Sequence, residues 1–259
     1  MKKLMIVASA ALCATVGFSL ESANVVGFVQ PSLQSNANLA GAPFDMVGAE
    51  GMDIQQIKPA GDDLYGGGVT LKLLNANLGD LAEYVYLPAE EAPDGETAGW
   101  YLDDFQTLVE KTFAPGEGFI LMNNLENGTA TYSGQVIGGK PTWEVAPNAN
   151  LAGNITPVDL SIQGIEVNAA IDEDGNLCDP DGSLYGGAFT LKLLNANLGD
   201  LAEYVYVPAI EAPDGETAGW YLDDFQTLVE KSFAPSEGFV IMCNLDAGFV
   251  QIPAAITAE

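Results

Sequence analysis

The sequence predicts an all-β protein, and three observations carry that expectation. Short runs alternate apolar and polar residues, Gly and Pro punctuate them closely, and no long segment shows a helical period. The fold expected is a pair of tandem β-sandwich or barrel-like domains produced by an internal duplication.

The duplication is read directly. Residues Leu64 to Leu125 return as Leu184 to Leu245, displaced by 120 positions; nine of these 62 paired positions differ, leaving 53 identical. More weakly, Asn36-Ala37-Asn38-Leu39-Ala40-Gly41 returns as Asn148-Ala149-Asn150-Leu151-Ala152-Gly153 at an offset of 112. The second copy therefore carries about eight extra residues, which fall in the Asp-, Asn-, Gly- and Pro-rich stretch from Asp172 to Gly182 and read as a loop. The domains expected are residues 23–133 and 134–259, behind a leader at 1–22. Each is of ordinary domain size.

Taken in order, Asn24 to Gln30 alternates and reads as a strand. Asp53 is placed to cap one short helical turn from Ile54 to Ile57. Val69-Thr70-Leu71-Lys72-Leu73 and Glu83-Tyr84-Val85-Tyr86-Leu87 alternate with β-branched and aromatic residues, as strands do. Gly99-Trp100-Tyr101-Leu102 follows the turn residues Ala92-Pro93-Asp94-Gly95-Glu96, and Ala114-Pro115-Gly116-Glu117-Gly118 feeds the strand Phe119-Ile120-Leu121-Met122. Val136-Ile137-Gly138 is expected to open the second copy, matching Val25-Val26-Gly27. Apolar replaces apolar at Val69/Phe189, Leu87/Val207, Ile120/Val240 and Leu121/Ile241, as in a packed core. Glu90/Ile210 points to solvent.

Met1-Lys2-Lys3, an apolar stretch from Leu4 to Phe18 and small polar residues after it form the pattern of a secretory signal peptide. The apolar stretch is short for a membrane span, which needs roughly 20 residues, so no transmembrane span is expected in the mature protein. Removing residues 1–22 takes away Lys2, Lys3 and Glu21 and leaves six Lys against 35 acidic residues, 6 minus 35 or −29, with no Arg and no His. No basic footprint for nucleic acid can be assembled. Only 17% of residues are charged and 48% are apolar, so the charge belongs on the outside of a folded body.

Three sets of residues are candidates for chemistry. Asp172, Asp174, Asn176, Asp179 and Asp181 lie on a Gly-bearing loop of the kind that holds calcium; no other cofactor is expected. The match to an EF-hand is partial, because Leu177 and Ser183 occupy the positions of its Gly and Glu. Tyr84, Trp100 and Tyr101, with Tyr204, Trp220 and Tyr221, stand among carboxylates such as Asp94, Asp103 and Asp104, the chemistry of glycan binding. Strand aromatics commonly serve as core packing, and that reading competes. Cys178 and Cys243 remain after leader removal, either as a disulfide or as two thiols. Without His, an enzyme would need paired carboxylates or Lys, and a site in the copied segment would occur twice. No enzyme is expected.

Ser22-Ala23-Asn24-Val25-Val26-Gly27-Phe28 after the leader, Asn38-Leu39-Ala40-Gly41-Ala42-Pro43, and Ala114-Pro115-Gly116-Glu117-Gly118-Phe119 resemble a group of uncharacterised bacterial exported proteins with tandem β-repeats. Gly134-Gln135-Val136 followed by Asn150-Leu151-Ala152-Gly153-Asn154-Ile155-Thr156-Pro157 is similar to that group's repeat junction. The resemblance implies fold and export, and brings no activity, cofactor or catalytic residue. The function expected is a non-catalytic structural or adhesive protein of the bacterial cell surface or extracellular matrix, secreted or surface-held; the alternative is a carbohydrate-binding module pair. Partners would be copies of itself or cell-surface polysaccharide. The strand from Asn24 could complete a neighbouring molecule's sheet.

Overall fold

A computed structural model describes residues 26–46, 51–213 and 217–252, so the expected leader at 1–22 lies outside the described residues. The protein is all-β. The first half contributes β1 (Val26–Val29), β2 (Ser32–Leu33), β3 (Asn36–Gly41), β4 (Phe44–Asp45), β5 (Met52–Asp53), β6 (Ile57–Gly61), β7 (Val69–Leu74), β8 (Asp80–Leu87), β9 (Gly99–Tyr101), β10 (Thr112–Phe113), β11 (Gly118–Asn123) and β12 (Gly128–Val136). The second contributes β13 (Thr142–Val145), β14 (Asn148–Gly153), β15 (Leu160–Ser161), β16 (Glu166–Asn168), β17 (Ala170–Ile171), β18 (Leu177–Cys178), β19 (Phe189–Leu194), β20 (Asp200–Val207), β21 (Gly219–Tyr221), β22 (Ser232–Phe233), β23 (Gly238–Cys243) and β24 (Gly248–Gln251).

The repeat in sequence is a repeat in pairing. One five-stranded antiparallel sheet has the order β3-β11-β7-β8-β9, and its counterpart has β14-β23-β19-β20-β21. Registers agree residue for residue: Val85 faces Tyr101 as Val205 faces Tyr221, and the ladder slips at Leu73/Leu74 as it does at Leu193/Leu194. Against the first sheet lies a second built on β12, with β1 and β2 along one edge and β6 and β4 along the other. The corresponding second-half sheet is the smaller β13-β24-β16. The first core joins Leu71, Phe119 and Trp100 from one sheet to Ile57, Ala130 and Tyr132 from the other. The second does the same with Leu191, Phe239, Trp220, Val167 and Val250. Burying each such large apolar side chain contributes up to about 3 kcal/mol.

Local signals act as expected at the Asp53 turn. A 3-10 turn at Ile54–Gln56 is closed by a capping box, in which Asp53 accepts the Gln55 amide at 2.8 Å and Gln56 accepts the Asp53 amide at 2.8 Å. Ile210 is 91% exposed, as its pairing with Glu90 suggested.

One expectation is corrected. Val136-Ile137-Gly138 does not open the second copy. The inward alternation Gly128, Ala130, Tyr132, Gly134, Val136 continues unbroken, so β12 passes position 133/134 and ends opposite Phe44, while Ile137 packs into the second core. The first strand of the second half is β13. The opening strand, described from Val26, pairs with β12 of its own chain from Val26↔Gln135 to Val29↔Tyr132.

The halves join through β3 and β14, the edge strands of the two large sheets. Ala40 bridges Glu237 and Ala152 bridges Glu117. The Ala37 amide donates to Ala196 O at 3.0 Å, and the Ala149 amide donates to Ala76 O at 3.0 Å. In each case one contact becomes the other when every residue is replaced by its repeat counterpart. The seam is therefore isologous, as in a twofold dimer, although both sides belong to one chain. Glycine makes it possible. A Cβ on Gly41 would lie 2.6 Å from Gly153 Cα, and one on Gly118 or Gly238 would lie 2.6 Å from the Ala152 nitrogen or 2.5 Å from the Ala40 nitrogen.

Candidate functional site

The aromatic residues nominated for sugar binding are mostly core. Trp100, Tyr101, Trp220 and Tyr221 are 0% exposed, and Tyr84 and Tyr204 are half-buried against the same clusters. Trp100 Nε1 donates to Ile57 O at 2.9 Å, and its ring meets Tyr86 edge-on at 5.3 Å. Trp220 Nε1 donates to Ile165 O at 2.7 Å and meets Tyr206 at 5.4 Å. The Tyr101 and Tyr221 hydroxyls donate to Thr97 O and Thr217 O, each at 2.8 Å. A ring enclosed on both faces has none for a sugar, so the glycan assignment is withdrawn for Trp100, Tyr101, Trp220 and Tyr221. Gln55 and Gln163, which drew no notice in the sequence, clamp these strands: each side chain accepts the Trp100 or Trp220 amide at 3.0 Å and donates to the same residue's carbonyl.

The carboxylates of the insertion serve two separate turns. Asp172 accepts the amides of Asp174 and Asn176 at 3.0 and 2.8 Å, closing the β17–β18 hairpin. Asp179 accepts those of Ser183 and Leu184 at 2.8 and 3.1 Å. Asp174, Asn176 and Asp181 are exposed. Among the described residues no group of three His, Cys, Asp or Glu is placed to hold a metal ion. Cys178 and Cys243 are free thiols, half-buried and buried respectively, so the disulfide alternative falls. They lie on different sheets, Cys178 opposite Ala170 and Cys243 opposite Asn148 and Phe189.

Two other features stand out. The first is an exposed apolar tip between β9 and β10, repeated between β21 and β22. Phe105 is 48% exposed and Phe225 41%, flanked by exposed Leu102 and Leu108 or Leu222 and Leu228. Both phenylalanines have left-handed backbone, φ 58° and 57°, a region that bulky side chains rarely enter. The preceding aspartate holds them there. Asp104 accepts the Gln106 and Thr107 amides at 2.9 and 2.8 Å and the Thr107 hydroxyl at 2.6 Å; Asp224 repeats the set at 2.8, 2.8 and 2.6 Å. The threonine hydroxyl first, and then these amides, lower the pKa of both aspartates.

The second lies at the seam, whose two faces are not alike. On one face the Trp143 indole covers Gly116, so closely that a Cβ there would fall 2.5 Å from the ring. On the other, register places Pro31 where Trp143 would be, since the Ala130 amide donates to Pro31 O and Val250 faces Trp143. Ser236 stands for Gly116 and Tyr132 for Ile252. Ser236 is 2% exposed with φ 63°, and its side chain hydrogen-bonds the Tyr132 hydroxyl across the seam. Burial pushes the Tyr132 phenol far above its ordinary pKa, the Ser236 bond opposing weakly. A cleft of about 640 Å³ remains open here, walled by Pro31, Leu39, Leu193, Leu201, Pro235 and Ser236 among others.

Sequence reasoning passed over Trp143, although it is the one Trp without a Trp counterpart, and over Gly116/Ser236, although it is one of the nine differences. No protein-family model, no curated protein and no solved structure matches this chain.

Proposed function

We propose that this chain is an exported, non-catalytic structural or adhesive protein of a bacterial cell surface or extracellular matrix, in which two consecutive β modules present one apolar tip twice. The observation that carries the reading is the pair of exposed phenylalanines at Phe105 and Phe225. Holding a non-glycine residue in left-handed backbone costs on the order of 1–2 kcal/mol, and Asn or Gly would make the same turn more cheaply. Keeping a large apolar ring at an exposed, strained position is expected where the ring is wanted outside. Two equivalent tips on one chain favour a repetitive surface through effective concentration. The acidic exterior suits this role, because four of the lysines, Lys72, Lys111, Lys192 and Lys231, pair internally with carboxylates. Export rests on Lys2-Lys3 and the apolar stretch behind them.

Retention of the purified chain on bacterial envelope sacculi and on an apolar plate, in moderate salt, tests the reading. F105N or F225N alone should weaken retention, and the double variant should abolish it while raising the melting temperature. A double variant that is retained as well as the parent would overturn the proposal.

A further inference from the structure

The geometry points to the open face of the seam as a binding site for a small planar aromatic molecule of indole size that carries a hydrogen-bond donor. Such a site does not depend on the adhesive role. Its first support is internal: on the symmetry-related face the chain's own indole, Trp143, fills the corresponding space against Gly116. The same backbone frame surrounds both faces, since the bridges Ala40↔Glu237 and Ala152↔Glu117 are counterparts. Replacing Trp143 by Pro31 withdraws the ring and leaves the frame standing.

The second support is what replaces the ring. The open cleft has a volume of about 640 Å³, within the range of small-molecule sites. Its apolar walls include Leu39, Leu193 and Leu201, together with Pro31 and Pro235. Ser236 supplies a buried hydroxyl in a backbone conformation that Gly adopts freely and Ser does not. Tyr132 fixes that hydroxyl from the other half, and its oxygen can accept one hydrogen bond more. Because Ser236 carries a Cβ where Trp143 lies over Gly116, a bound ring must sit nearer Pro31, in the space the missing indole vacates. Gln34, Asn38, Asn195 and Glu237 also line the cleft, so a ring that carries an N–H or O–H is favoured over a pure hydrocarbon.

Titrating the full chain with indole, followed by NMR and calorimetry, tests the site. The expected result is saturable binding of one indole per chain. P31W/S236G, which rebuilds the filled face on the open side, should weaken binding at least tenfold. W143A, which empties the filled face but puts no hydroxyl there, should leave the stoichiometry at one. Absence of saturation up to the solubility of indole, undiminished binding in a folded P31W/S236G variant, or a second equivalent site in folded W143A would each overturn the proposal.

Discussion

The two faces of the seam are built on one frame and finished differently. On one, Trp143 lies on Gly116 beside Ile252; on the other, Pro31 leaves a cleft, and Ser236 reaches Tyr132. Each set is consistent within itself. A Cβ at 116 would strike the indole, and a hydroxyl there would find no partner at Ile252. Position 236 can carry Ser because no ring covers it and because Tyr132 waits opposite. After duplication, the contacts closest to the symmetry axis stay glycine and alanine, while residues one layer out diverge in compatible groups.

The same lesson holds in the cores. Val69 faces Asn123 across β7 and β11, whereas Phe189 faces Cys243 across β19 and β23. Asn123 is fully buried and donates to the carbonyls of Leu33 and Gln34 at 3.4 and 3.3 Å. The larger Phe189 ring instead fills the space under Gly248, within 2.4 Å of where a Cβ would stand. Two of the nine differences thus form one directly paired exchange.

The symmetric part of the comparison is broken most severely at its axis. G41A places a Cβ against Gly153 Cα, and overpacking of this kind should cost about 3 kcal/mol; urea unfolding measures the loss, and hydrogen exchange should locate it at the seam. W143A is next, with an expected cost of about 2 kcal/mol because the ring is only half-buried. P31A, its counterpart on the open face, should change stability far less, and equal effects would refute the difference drawn between the faces. V69F should then cost about 1.5 kcal/mol by pressing on Asn123, and V69F/N123C should recover most of it. A double-mutant cycle showing no coupling would make the two changes independent and dissolve the paired exchange. S236G should lie within about 0.5 kcal/mol of the parent, since relieved backbone strain offsets the lost hydrogen bond to Tyr132.

The smallest effect separates the tips from the cores. The folded-state pKa values of Asp104 and Asp224 lie below the ordinary 3.8, so their hydrogen bonds support the tips above that pH and are lost as acid carries it down through the folded values. Carboxyl NMR should show both aspartates titrating below the ordinary aspartate value. Phe105 and Phe225 should loosen in step while the Trp100 and Trp220 signals stay unchanged.

How far each feature could be read depends on the range of the force behind it. Alternation along the chain identified the strands from Val69 and Glu83, because side chains on a strand point alternately to two faces, and the turn residues ahead of Gly99 and Phe119 marked the other two. Asp53 announced its turn because a cap is made within three residues. The misplaced opening at Val136 has a physical cause as well: Val136-Ile137-Gly138 looks like any strand, and whether it closes one core or begins the next depends on Phe44, more than ninety residues earlier. Trp100 and Trp220 read equally well as sugar platforms or as core, since exposure is not a local property. The aspartates of the insertion could be counted in the sequence, but the direction of each carboxylate follows from its own turn.

The sequence by itself determined that the chain is all-β, strongly acidic, and written twice over most of its length, since composition, period-two patterning and self-similarity need no partner. Only the tertiary structure decided that the copies meet edge to edge about a pseudo-twofold, that the tryptophans of the copies face inward while Phe105 and Phe225 face outward, and that one face of the seam is filled and the other open. Most of those outcomes depend on contacts between residues well separated in the chain, where glycine permits two backbones to cross and a single ring decides whether space remains.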